Sequence, residues 1–245
     1  MKNLVLSSFM FIGLYMTSVA QVPANYNADN ESFGMQPMLQ YAFQQLGSKT
    51  VKGLEEVDII GSRYLSETFV KTAIHSEGGL EGHTFSRYDG YNDEVQLKKS
   101  LNDNEVLVLL KRADIYAVSG GTTIVFKKFY DKKGKLERGH LFKLIETENL
   151  MLFERKIKRY KEGKQAVNSL QMSVKSRFIA DSELYYLKKG EEKIRFLKTS
   201  KKEVLDLFKD EVEKADKVEE YISNNNIKIK DSSDILRIFN FSETL

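Results

Sequence analysis

Three histidines, His75, His83 and His140, are the side chains best suited to acid–base work near neutral pH. His75 and His83 flank Gly78-Gly79, so a hairpin there sets them on neighbouring strands. A metal would need a third ligand, for which Glu81 and Asp89 are the nearby choices. The helical and cysteine-rich ligand spacings of zinc motifs are missing, so both are read as hairpin residues, and no metal or cofactor is expected. His140 has no partner close in sequence. The chain has no cysteine, and no serine sits in a Gly-x-Ser-x-Gly elbow. Ser119-Gly120-Gly121 looks superficially like a phosphate loop. It lacks the following Lys-Ser/Thr, and Thr122 onward is strand-like, so it reads as a turn. With no paired catalytic signature, the expectation leans away from an enzyme.

Oxygen ligands are densest at Asp89-Gly90-Tyr91-Asn92-Asp93-Glu94. The run lacks the sixth-position glycine and twelfth-position glutamate of a calcium-binding EF-hand loop, so a turn leading into a strand is expected. Arg87, Tyr88, Tyr91, Asp93 and Glu94 then form a structural motif. Arg87 is expected to pair with Asp93 or Glu94, and Tyr88 and Tyr91 to anchor the turn in the core. The basic run Arg155–Lys161 is the candidate interaction surface. As a strand it puts Lys156, Lys158 and Tyr160 on one face and Arg155, Ile157 and Arg159 on the other. Lys156, Lys158, Arg159 and Tyr160 suit phosphate groups of lipid or polysaccharide. The alternative is a solvated edge strand whose lysines discourage pairing with other chains.

These residues need a frame of short strands. Apolar runs at 57–60, 68–75, 94–98, 106–110, 122–130, 141–145, 150–153, 176–180, 183–188 and 193–198 are separated by turns rich in Gly, Asn and Asp. With no long helix between them, they predict an antiparallel sheet, sandwich or open barrel. After Ser200 the spacing changes. Val204, Phe208, Val212, Ala215, Val218 and Ile222 fall on one helical stripe, and Ser200 with Glu203 makes a capping box. A second short helix follows over 231–241. The fold class expected is therefore mainly β with a helical C-terminal tail (α+β), carrying two short C-terminal helices.

Residues 1–20 have the form of a cleavable export signal: Lys2, an apolar stretch from Leu4 to Met16, and small residues at Ser18 and Ala20. Cleavage after Ala20 leaves a polar segment over 21–54, with a short helix or turn near 38–46. An antiparallel β domain spans 55–199 and a helical tail 200–245 packs on it. No transmembrane span is expected after cleavage, nor a lipid anchor, since no cysteine follows the cut. A net charge of +3 gives no reason to expect a nucleic-acid partner. An exported chain without disulfides must hold itself together by packing.

Gly61-Ser62-Arg63-Tyr64-Leu65-Ser66-Glu67-Thr68-Phe69 and Arg87-Tyr88-Asp89-Gly90-Tyr91-Asn92-Asp93-Glu94-Val95 resemble a pattern in uncharacterised exported β-rich proteins of Bacteroidota. The lysine-rich helix over 201–210 is similar to that family's as well, while Asp89 stands where asparagine is commoner there. The resemblance implies an exported β-rich domain with no known activity, so no functional residue carries over. The function expected is that of a non-enzymatic envelope or secreted protein acting by binding, in the periplasm, at the outer-membrane face or outside the cell. Its partner would be an envelope protein, lipid or glycan. The alternatives are a β-cup or barrel carrying a lipid or glycan, and a hydrolase with dispersed carboxylates.

Overall fold

A computed structural model describes residues 59–166 and 172–245. The expected leader, the polar segment over 21–54 and the helix or turn at 38–46 lie outside them. Among the described residues ten strands form one mixed sheet, followed by three short helices, as the mainly β, α+β pattern of the sequence indicates. The strands are β1 Val70–Ser76, β2 Gly79–Asp89, β3 Glu94–Lys98, β4 Leu107–Val108 and β5 Tyr116–Ser119. They continue as β6 Thr122–Tyr130, β7 Leu136–Glu146, β8 Leu150–Lys161, β9 Arg177–Lys188 and β10 Ile194–Leu197. The helices are α1 Lys201–Asp206, α2 Val212–Asn224 and α3 Ser232–Ser242.

The sheet order is β10-β9-β8-β7-β6-β5-β1-β2-β3-β4. β6 divides one edge between two neighbours. Its residues Thr122–Val125 pair with β5, and Phe129 and Tyr130 pair with Ile194 and Arg195 of β10. That second pairing is parallel, which corrects the all-antiparallel expectation. It also joins β10 back to β6, so β6–β10 close into a ring.

Alternation along each strand then makes separate cores. Phe129, Leu141, Phe153, Tyr185 and Ile194 fill the ring, each at most 5% exposed. The opposite face of β6 and β7 gives Ile124 and Phe142 to a second core with Ile74, Tyr88, Val95 and Leu97, so the β5-β1-β2-β3 stretch curls over that face. On the outside of the ring, Leu150, Leu152, Leu184 and Leu197 meet the helices through Val204, Phe208, Val218, Ile222, Ile238 and Phe239. The sequence pattern Leu150-Met151-Leu152-Phe153 thus serves two cores, with alternate residues going to helices and to ring.

Two expectations are corrected here. The stripe from Val204 to Ile222 is not one helix, since α1 ends at Asp206 and α2 begins at Val212. After α1 the N–H of Phe208 turns back to the carbonyl of Leu205, and that of Glu211 to Phe208. This tight turn buries Leu207 and Phe208 together and leaves Val212 68% exposed. The run over 106–110 yields only the two-residue β4. Of the expected strand over 57–60, Val57 and Asp58 fall outside the described residues, and Ile60 makes a single parallel bridge to Arg177.

Truncating a side chain inside the ring leaves a cavity that close-packed neighbours cannot refill. Leu141→Ala is expected to cost about 2–5 kcal/mol in urea unfolding, whereas Leu136→Ala changes stability by about 0.5 kcal/mol or less. Leu141 is 0% and Leu136 50% exposed.

Candidate functional site

β7 and β8 are hydrogen-bonded only over Phe142–Glu146 and Met151–Glu154, with a bulge near Lys143–Ile145. Beyond that point the strands part, and the turn between β2 and β3 enters the gap. The N–H of Lys158 on β8 donates to the carbonyl of Gly90 at 2.9 Å. The N–H of His140 on β7 donates to the carboxylate of Asp93 at 3.1 and 3.2 Å. The turn therefore replaces the missing ladder on both sides. Two glycines permit the approach. A Cβ on Gly90 would stand 3.0 Å from Cγ of Lys158, and one on Gly139 would stand 2.9 Å from Oδ2 of Asp93. Asp93 itself takes φ +55°, a left-handed conformation that aspartate tolerates better than most residues.

Asp93 gathers two more groups. The Tyr88 hydroxyl donates to Oδ1. Nδ1 of His140 lies 3.1 Å from the Asp93 carbonyl and 3.3 Å from Oδ1. Burial pushes the Asp93 carboxyl up, but its bonds with His140 and Tyr88 outweigh that and hold it below the usual carboxylate range. Burial, reinforced by the Asp93 charge, pushes the Tyr88 hydroxyl far above its ordinary value, so it stays a donor. The His140 ring is 2% exposed and packed edge-on against Tyr88 and Phe126. The trio is therefore a clasp between β2–β3 and β7, since its imidazole is shielded from solutes.

Asp89 is the second anchor, and Arg63 its partner at 2.6 Å, the two side chains 0% and 2% exposed. Asp89 Oδ1 also accepts the N–H groups of Tyr91 and Asn92, each at 3.0 Å. Arg63 comes from a stretch that stitches distant strands. Its carbonyl accepts from Gly90 at 3.0 Å, while Ile60 exchanges bonds with Ser176 and Phe178 at the start of β9.

Arg87 departs from its expected pairing. Its Nε donates to Gln96 at 2.9 Å, its guanidinium lies over the rings of Tyr64 at 3.5 Å and Phe69 at 4.6 Å, and Nη1 approaches Glu67. Asp93 is taken instead by Tyr88 and His140. Glu94 sits opposite Asp89 at the end of the hairpin. Tyr88 is a core anchor as expected, but Tyr91 is 40% exposed.

The basic run meets this same motif, although the two are far apart in sequence. Besides the Gly90–Lys158 bond, Tyr91 packs against Tyr160 at 6.5 Å and Phe178 at 5.4 Å between ring centroids. β8 is no edge strand, because β9 pairs along its whole length and β7 and then Gly90 occupy its other side. Its cations have acidic neighbours. Lys156 lies 3.6 Å from Glu154, and Arg159 lies 2.8 Å from Asp181 and 3.7 Å from Glu183. Arg159, Tyr160 and Lys161 are the exposed residues of the run, and Tyr160, 41% exposed, lies beside Tyr91.

His75 stacks on Tyr116 at 4.8 Å, and among the described residues no group of His, Asp and Glu is arranged to hold a metal ion. Reading the sequence missed the roles of Arg63, Gly139 and His140. A buried-type strand start carrying Gly139-His140 was the available signal. Comparison with protein-family models, curated proteins and solved structures finds no match.

Two outcomes follow from the clasp. The Asp93 carboxyl titrates lower when folded than when unfolded. Its contribution is therefore present above the unfolded value of about 3.9 and is lost as pH falls through the folded one. Asp93→Asn should accordingly be less stable than wild type at pH 7 in urea melts, with the difference shrinking toward pH 2. Removing one member of the buried ion pair strands the other charge, so Asp89→Ala should cost about 3–5 kcal/mol by the same measurement.

Proposed function

We propose that this chain is an exported, non-enzymatic binding protein of the bacterial envelope that docks a partner protein on the face formed by Tyr91, Tyr160 and Phe178. The observation that carries this reading is that aromatic cluster. Two tyrosines, 40% and 41% exposed, rest on backbone held by the Gly90–Lys158 bond. Partly exposed aromatic side chains on a rigid support supply large contact area at little entropic cost, which is why they dominate protein interfaces. Ile60, 56% exposed, and Leu65, 37% exposed, lie on the stretch stitched to the same turn and extend the apolar area. Lys156, on the same strand face as Tyr160, is paired with Glu154 and suits a polar rim better than an anion site.

The leader pattern at 1–20 and the resemblance to exported Bacteroidota proteins support the address. The carrier alternative has less support, because Phe129, Leu141, Phe153, Tyr185 and Ile194 occupy the ring where a lipid would lie. The hydrolase alternative is disfavoured by the engagement of Asp89 and Asp93 with Arg63, His140 and main-chain amides.

Photo-crosslinking in the producing cell tests the reading. A photoreactive residue at 91 or 160 should give one discrete protein adduct, and the same residue at the exposed Leu136 should give none. Tyr91→Ala with Tyr160→Ala should weaken binding of the purified partner about 30-fold, as expected for hot-spot loss near 2 kcal/mol. Equal crosslinking at all three sites, or none, contradicts the proposal.

A further inference from the structure

On the other flank of the β8–β9 hairpin, two adjoining clefts of about 410 and 240 Å³ share Lys132 and Phe196. The larger runs between the β6–β7 turn and β10, lined by Tyr130, Lys132, Lys193, Arg195 and Phe196. The smaller continues past Lys198 to Lys230, with Asp181, Glu183 and Asp231 on its walls.

Five cations and four carboxylates line these clefts. Asp131 accepts the N–H groups of Lys133 and Lys135. Asp181 holds Arg159, and Glu183 accepts the Tyr185 hydroxyl and faces Arg155. Asp231 caps α3 through Ser233 and Asp234. Arg195 is matched by Glu191. Lys132, Lys193, Lys198 and Lys230 are exposed and make no ion pair among the described residues. Four ammonium groups outside any ion pair thus border the two adjoining clefts, where Asp181 and Glu183 face arginines and Asp131 and Asp231 are held by main-chain amides.

We propose that the two clefts together bind an acidic saccharide, one carrying sulfate, phosphate or carboxylate on at least two sugar units. The lysines come from the β6–β7 turn, the start and end of β10, and the approach to α3. A single small anion touches only part of that set, so an extended ligand is required. The larger cleft lies within the range of about 300–1,000 Å³ common for small-molecule sites. Tyr130 and Phe196 are half-buried on its walls, which suits flanking a sugar ring. Stacked nucleobases need freely presented aromatic faces instead. This site is separate from the Tyr91–Tyr160 face and does not depend on it.

Calorimetric titration of the purified chain tests the assignment, using a sulfated tetrasaccharide, the same tetrasaccharide unsulfated, inorganic sulfate and a single-stranded oligonucleotide. The sulfated tetrasaccharide should bind, at least about tenfold more tightly than any other probe, and should weaken as salt rises. Lys132→Gln with Lys198→Gln should lower its affinity by about tenfold or more, with the thermal midpoint unchanged. Tyr91→Ala with Tyr160→Ala should leave it unaltered, which separates this site from the protein-docking face. Absence of binding by the wild type, unchanged affinity in the lysine variant, or equal or tighter binding of inorganic sulfate or the oligonucleotide would overturn the proposal.

Discussion

When two strands of a sheet part company, the main-chain N–H and C=O groups along the split lose their ladder partners, and each one buried unpaired costs free energy. β7 and β8 part after Phe142 and Glu154, and the protein fills that split with its own β2–β3 turn. A carboxylate from Asp93 meets the His140 amide, and the Gly90 carbonyl meets the Lys158 amide. The rest of the arrangement depends on this clasp. It brings the outer limb of the sheet back over β6 and β7, and that return is what encloses the second core. The charge on Asp93 is held in place by Tyr88 and His140, so the same groups that seal the gap also keep the carboxylate ionised.

The ring and the clasp divide the mechanical work. β10 closes the ring by pairing with β6, and the ring's core is mainly apolar, with the Tyr185 hydroxyl donating to Glu183. The clasp is polar and built from charge-assisted hydrogen bonds, which demand fixed geometry and are costly to leave half made. That difference matters for function. The turn carrying Tyr91 is pinned at Gly90, at Asp89 and at Asp93, so the side chain it displays is presented from an ordered support. The helices cover the outside of β8, β9 and β10, leaving the clasp face and the lysine-bordered clefts as separate surfaces.

Much of the frame was legible in the sequence because its signals are local. Turn residues mark the hairpins, the apolar run over 150–153 marks a strand, and Val218 with Ile222 marks a helix. The density of side-chain types from Arg87 to Glu94 was legible as structural. Its partners were not, because they lie elsewhere in the chain. Asp93 and His140 are 47 residues apart, and nothing local forecasts where β7 leaves β8. Arg87 was assigned to nearby acids by proximity, yet its place opposite Gln96 in the hairpin settles its partner. The break between α1 and α2 was hidden because the apolar spacing runs through it. The basic run read as an edge only because the turn that covers it comes from far upstream.

Amide hydrogen exchange at His140 and Lys158 tests the clasp most directly, because both N–H groups point into the gap between β7 and β8. If the turn completes the ladder, these two amides exchange as slowly as those of the β6–β7 ladder, through global unfolding, and Asp93→Ala speeds His140 selectively. Exchange of both amides at the rate of exposed main chain in the wild type would contradict the account.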